Sequence, residues 1–286
     1  MLHKARIIVT VLLSLPFLSY AQEPFSIFTG MGEKVQLGQV IEASQGKSHI
    51  FFGELHNNAV AHWLQLELTK ALFKRDSLHL VIGAEMFEAD NQLLLDEYMS
   101  GLISQKSFEE EARLWKNYKT DYKPILEFAK EHRIRFVATN VPRRYASAVF
   151  HEGVSVLKNL GTEASRFLPP LPLVIDTTQS SYHKLSKMSG SHQGNYMLEA
   201  QAIKDATMAH FIAHNSIRGS VFLHLNGSYH SDRYEGIVNY LQRDVPLKKM
   251  LIITTVVQSE TSRLDNKNKS LADFIICVDE SFTLTQ

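Results

Sequence analysis

Runs of apolar residues four to seven long alternate along this chain with stretches in which apolar positions recur every three or four residues. Ser48–Phe52 is a short strand-like run that ends at Gly53, and from Asn57 to Lys74 the apolar positions Val60, Leu64, Leu68, Ala71 and Leu72 fall at helical spacing. The same reading gives strands at Leu78–Ala84, Ile134–Ala138, Ser220–Leu225, Lys249–Val257 and Ala272–Val278. Helices follow at Asp90–Met99, at Arg143–Leu160 and around Tyr234–Leu241. Strand–helix alternation of this kind predicts an α/β fold, a mostly parallel sheet flanked by helices on both faces.

Two stretches interrupt the alternation. Residues 100–133 read as a helical insertion, its Phe108–His132 part rich in Trp115, Tyr118 and Tyr122. Residues 178–217 read as two helices joined near Gly190–Gly194, after a Pro169-Pro170-Leu171-Pro172 break. Together they predict a smaller helical subdomain or lid over the sheet. Gln258–Ser270 reads as a solvated loop.

The first 21 residues have a different character. Lys4 and Arg6 precede the apolar stretch Ile7–Leu18, and Ser19-Tyr20-Ala21 offers small residues where a signal peptidase cleaves. Residues 1–21 are therefore expected to be a signal peptide, too short in its apolar part to span a bilayer. Residues 22–286 would be one exported domain, periplasmic or associated with the outer surface, with no membrane span after signal removal. Thirty basic residues balance thirty acidic ones and no basic stripe is present, which argues against nucleic acid as a partner. Cys277 is the only cysteine, so no intrachain disulfide and no CxxCH haem attachment can form. It lies in an apolar run and reads as core.

In open parallel sheets, ligands collect outside the carboxyl ends of the strands. The expected strand exits deliver Gly53-Glu54-Leu55-His56, then Glu85, then Thr139-Asn140 with Arg143 and Arg144, then Asn226-Gly227-Ser228-Tyr229-His230. One such residue commonly caps the next helix. Four exits of this kind on one edge would bring together charges that are costly to bury unless paired or bound. Two imidazoles with a carboxylate, His56 and His230 with Glu54, also form a plausible ligand set for a divalent metal. In that case Glu54 or Glu85 would be the general base, and Asn140 and Arg143 would complete a catalytic set. His79, His132, His151 and His224 read as ordinary surface or core residues. No GxSxG, GxGxxG, P-loop or HExxH motif is present.

The two Gly-x-x-His motifs, Gly53–His56 and Gly227–His230, with Glu85 between them, resemble the Tiki/TraB/erythromycin-esterase-like superfamily. Within it the chain is similar to the ChaN-like haem-binding branch. That likeness rests on Phe52–Asn58 followed by His62 and Gln65, on Gly83–Phe87, on Ala138–Arg143, and on Ala200-Gln201-Ala202 with Asp205–Ala209. It implies an α/β sheet with a helical subdomain, haem bound across a homodimer, and a role in iron acquisition with a haem-uptake receptor or transporter as partner. The wider superfamily implies the alternative, a metal-dependent, peptidase-like hydrolase with the motif histidines and a glutamate at the metal. A scaffold that binds protein partners is a third reading. If haem is the cofactor, its iron needs an axial donor. The 172–213 segment collects Tyr182, His183, Met188, His192, Tyr196 and Met197, from which Tyr182 with His183, and then Tyr196, are the expected haem-binding residues.

Overall fold

The computed structural model describes residues 23–76, 79–188 and 196–285. The expected signal peptide and the Gly190–Gly194 junction with His192 lie outside them. In chain order the elements are β1 Phe25–Thr29, β2 Lys34–Val35, α1 Leu37–Ala43, β3 His49–Glu54, α2 Ala59–Asp76, β4 Leu80–Glu88, α3 Gln92–Met99, α4 Gln105–Glu111, α5 Lys123–Glu131 and β5 Arg135–Asn140. They continue with α6 Arg143–Glu152, α7 Thr162–Ser165, α8 Ser180–Met188, α9 Met197–Asn215, β6 Val221–Gly227, α10 Ile237–Leu241, β7 Met250–Gln258 and β8 Phe274–Asp279.

The strands form one eight-stranded sheet in the order β2-β1-β8-β7-β3-β6-β4-β5. The six from β8 to β5 are parallel, and β1 and β2 add an antiparallel edge. Side chains alternate between the faces, as a two-residue period requires. In β3, Ile50 and Phe52 join the core under α2 and α5, whereas Phe51 joins the core under α9 and α10; in β6, Leu223 and Leu225 divide from Phe222 in the same way. A third, smaller core of Val141, Ala146, Val149, Leu157, Leu168, Ala200 and Ile203 holds α6 and α9 together. This is the helical subdomain, and it overhangs the exit edge of the sheet.

Several expectations change in detail. The Arg143–Leu160 helix stops at Glu152, because Gly153 takes φ +80°, and a 3-10 turn, Val154–Asn159, follows. Gln258–Ser270 is not solvated throughout. The buried Gln258 amide donates to the carbonyls of Glu260 and Arg263, and its oxygen accepts from the Asp265 backbone and the Asn268 amide. The β1–β2 pair had no counterpart in the expected strands. Cys277 is fully buried in β8, and no helix among the described residues is long and apolar enough to cross a membrane.

The β5 edge is closed by a side chain. The Gln92 amide donates to the Phe136 carbonyl at 3.0 Å, and its oxygen accepts from the Ala138 N–H at 2.6 Å, as a neighbouring strand would. Gln92→Leu strips both bonds from a largely buried edge and is expected to cost about 1–3 kcal/mol. A urea midpoint within error of wild type would contradict that role.

Candidate functional site

The topology decides where the site lies. β3 and β6 are neighbours, but the chain leaves β3 toward β4 on one side and leaves β6 toward β7 on the other. That reversal opens a crevice at their carboxyl ends. Parallel register sets Glu54 level with Gly227, and Ala84 level with Leu225, so Glu85 emerges beside them. Between Ala84 and Glu88 the β4–β5 register shifts, three residues of β4 standing against one of β5. Such a bulge re-aims side chains at a sheet edge.

Glu54, His56, Glu85 and His230 do converge. The Glu54 carboxylate lies 3.0 Å from His56 Nδ1. The His56 ring passes so close to Gly227 that a Cβ there would stand 2.8 Å from its Nε2. Gly227 N–H donates to Glu85 Oε2 at 2.7 Å, and Glu85 Oε1 lies 3.2 Å from His230 Nε2. Only glycine at 227 allows the two motif histidines and Glu85 to share this space.

Two similar chains of groups feed the centre from opposite sides. On one, the Tyr122 hydroxyl donates to Glu54 at 2.7 Å, Gln65 donates to its other oxygen, and Glu54 holds His56. On the other, the Tyr182 hydroxyl donates to Asp205 at 2.7 Å, and Asp205 accepts a short hydrogen bond from His230 Nδ1. Burial alone would push the His230 imidazole down, but the Glu85 and Asp205 carboxylates outweigh it and raise its pKa to about 10. Burial works against ionised Glu85, yet His230, His56 and the Gly227 N–H hold it well below the usual carboxylate range. Asp205 moves the other way, pushed up by burial with Glu85 adding to the effect, so of the two carboxylates it takes a proton before Glu85 on acidification. At neutral pH the centre holds a His230 imidazolium with ionised Glu85 beside it.

That arrangement has a pH signature. A group raised from 6.5 to about 10 on folding stabilises fully below 6.5, and the contribution is lost as pH climbs to about 10. The melting temperature of the wild type is therefore expected to fall over that window by more than that of His230→Gln. The corresponding difference in unfolding free energy should amount to about a few kcal/mol, on the order of the linkage expected for such a shift. Parallel curves for the two proteins would contradict the buried imidazolium.

The metal reading of His56, His230 and Glu54 meets a physical obstacle. Both His230 nitrogens are engaged by carboxylates, and His56 Nδ1 is held by Glu54. Among the described residues no group of three or more His, Cys, Asp or Glu side chains is set to hold a metal ion.

Beside this centre opens a cleft of about 530 Å³ under α6 and α9, bordered by His56, Glu85 and His230 at its floor. Val141, Ala146, Phe150, Ala200 and Trp115 give it apolar walls, and the Trp115 ring meets His56 edge-on at 4.8 Å between centroids. Arg143 stands at its mouth, its side chain 70% exposed and 3.6 Å from Glu88, and Lys204 borders it from α9. Asn140 reaches the same cleft with its buried Oδ1 lacking a hydrogen-bond partner among the described residues. A second depression of about 650 Å³ adjoins the first, sharing His56, Gln201 and His230 with it.

The three expected haem-binding residues are not brought together. Tyr182 is fully buried in the core between α8 and α9, and burial with Asp205 beside it raises its phenol pKa further. The expectation of an axial phenolate there is corrected, since its hydroxyl is a donor to Asp205. His183 points to solvent from α8. Tyr196 is 40% exposed, its ring against Gly153 and its N–H bonded to the carbonyl of Phe150, a wall of the cleft. His224 is a satisfied core residue, its nitrogens bonded to Asn226 and Thr139, and burial lowers its pKa to about 4. Sequence reading assigned no role to Asp205, Gln201 or Lys204. The 201/205 spacing, which sets an amide and a carboxylate one turn apart on a helix otherwise rich in alanine, could have marked that face.

Comparison with known proteins bears on this geometry. The family model for haem-binding uptake proteins of the Tiki superfamily, ChaN, matches residues 40–241. No curated protein matches. Among solved structures, ChaN of Campylobacter jejuni, described with cofacial haem binding, superposes with a TM-score of 0.66 at 20% identity, covering 88% of this chain and 96% of that one. An erythromycin esterase mutant in its open conformation gives 0.53 at 11% identity over 91% and 99% of the two chains. A Bacillus cereus protein gives 0.54 at 8% identity over 85% and 91%. At these identities the likeness is one of fold.

Proposed function

We propose that this chain, which belongs to the haem-binding uptake family of the Tiki superfamily (ChaN), takes haem into the cleft under α6 and α9 and serves haem or iron uptake outside the cytoplasm. The observation that carries the reading is the cleft itself. It has apolar walls for a macrocycle, Arg143 and Lys204 near enough to meet propionates, and an unpaired Asn140 oxygen awaiting a donor. Its volume falls in the range of small-molecule sites, about 300–1,000 Å³. Tyr196, exposed beside Phe150, is the axial donor in this reading, because a phenolate is a hard anionic ligand suited to ferric iron. A second copy of the chain would cover the haem face left open, and a receptor or transporter would receive the cargo.

Haemin titrations of site variants test it. Tyr196→Phe is expected to shift the Soret maximum and weaken affinity at least tenfold, whereas His183→Ala changes neither. Tyr182→Phe, which removes only the hydroxyl donated to Asp205, should leave the Soret maximum in place. If Tyr196→Phe behaves as wild type, iron is held by another residue.

The paired Tyr–carboxylate–His chains meeting at Glu85 favour a second reading, hydrolysis at the same centre with a carboxylate as base. It needs turnover that survives chelation of free metal and is lost in Glu85→Gln. Turnover that depended on added metal would favour the ligand set first read from the motifs.

A further inference from the structure

The carboxyl-terminal half of α9 carries a second group of imidazoles, away from the cleft. His210 and His214 are four residues apart and so share one face of the helix. Their ring centroids lie 4.5 Å apart at 44°, neither stacked nor edge-on. Among the described residues neither ring has a hydrogen-bond or ion-pair partner, which is unusual for two adjacent polar rings. Both line a depression of about 470 Å³, walled by the Pro169–Val174 segment and by Tyr240, Arg243 and Asp244. At 1.5 Å per residue, His210 stands about 14 Å along the helix from Gln201 in the haem cleft.

The local electrostatics keep a lone pair available. Burial pushes the His210 pKa down, and the neighbouring His214 pushes it further, with Asp244 opposing. Neutral imidazole is the form that ligates metal. Asp244 and Arg243 both border the depression, so an approaching cation meets one charge of each sign there.

We propose that His210 and His214 form a two-histidine site for a divalent first-row transition ion, with water completing the coordination. The i, i+4 spacing is the one by which a helix offers two imidazoles to a single zinc ion. Two neutral nitrogen ligands select Zn²⁺, Cu²⁺ or Ni²⁺ over Mg²⁺ and Ca²⁺, which prefer oxygen. No third His, Cys, Asp or Glu closes the site among the described residues, so the ion is exchangeable and has no structural task. The site is independent of the haem reading, because it shares no residue with the cleft.

The test uses the haem-free full-length mature protein, with Zn²⁺ followed by isothermal titration and Cu²⁺ by electron paramagnetic resonance. The wild type should show a strongest site with two-nitrogen coordination, unaffected by excess Mg²⁺. His210→Ala and His214→Ala should each weaken it at least tenfold and abolish the two-nitrogen signal, while His56→Ala preserves both. Alanine is the better helix former, so α9 should persist, which the thermal melt verifies. Haemin affinity in the two variants should equal that of wild type. Unchanged Zn²⁺ affinity in both variants, displacement by Mg²⁺, or loss of the site in His56→Ala would overturn the proposal.

Discussion

Glu85→Ala should lower unfolding stability by about 3–5 kcal/mol, the cost typical of removing one partner from a buried ion pair. The direction of the pKa shift selects this residue from its neighbours. Glu85 is held well below the usual carboxylate range, so its ionised form is favoured by the fold, whereas Asp205 is raised and its charge is tolerated at a cost. Removing Glu85 takes one carboxylate from the buried His230 imidazolium and the acceptor from the Gly227 N–H. Urea unfolding with an unchanged slope and a lowered midpoint would read the loss directly. A midpoint equal to or above that of wild type would mean that the cluster is held together against its own repulsion, with no net stabilisation of the fold.

Ser147→Trp should abolish haemin binding, with at least a tenfold loss of affinity, and leave stability within about 0.5 kcal/mol of wild type. Ser147 is exposed on α6 and borders the cleft between Arg143 and Phe150. An indole there fills the space a macrocycle would take without burying new surface in the core. The substitution leaves Tyr196 and the charged floor residues themselves unaltered, so it reports on occupancy of the cleft. Full haemin affinity in a folded Ser147→Trp protein would place haem elsewhere on the molecule.

Much of this architecture was legible in the chain because the information is local. Strands buried on both faces appear as unbroken apolar runs, and six of them were found near their observed limits. The polar exits were legible for a related reason. Once strands are parallel and in register, residues just past their ends must meet, as Glu54, Gly227 and Glu85 do. The missing parts depend on tertiary packing. β1 and β2 are five and two residues long and owe their existence to pairing, β1 with β8 and β2 with β1. Tyr122 and Asp205 reach the centre from helices that cross over the sheet edge, which no strand pattern reveals. Tyr182 misled for the opposite reason. Its spacing from Leu185 marks an apolar helix face, so the phenol was more readily placed in the core than in a haem slot.

The central claim is that the cleft under α6 and α9 holds haem, and its most direct test is a haemin titration of the wild-type chain followed at the Soret band. The account predicts a saturable shift that reaches a fixed stoichiometry and is absent when Ser147→Trp is titrated in parallel. A wild-type spectrum that only adds free haemin absorbance, or a saturable shift identical in the two proteins, would contradict it.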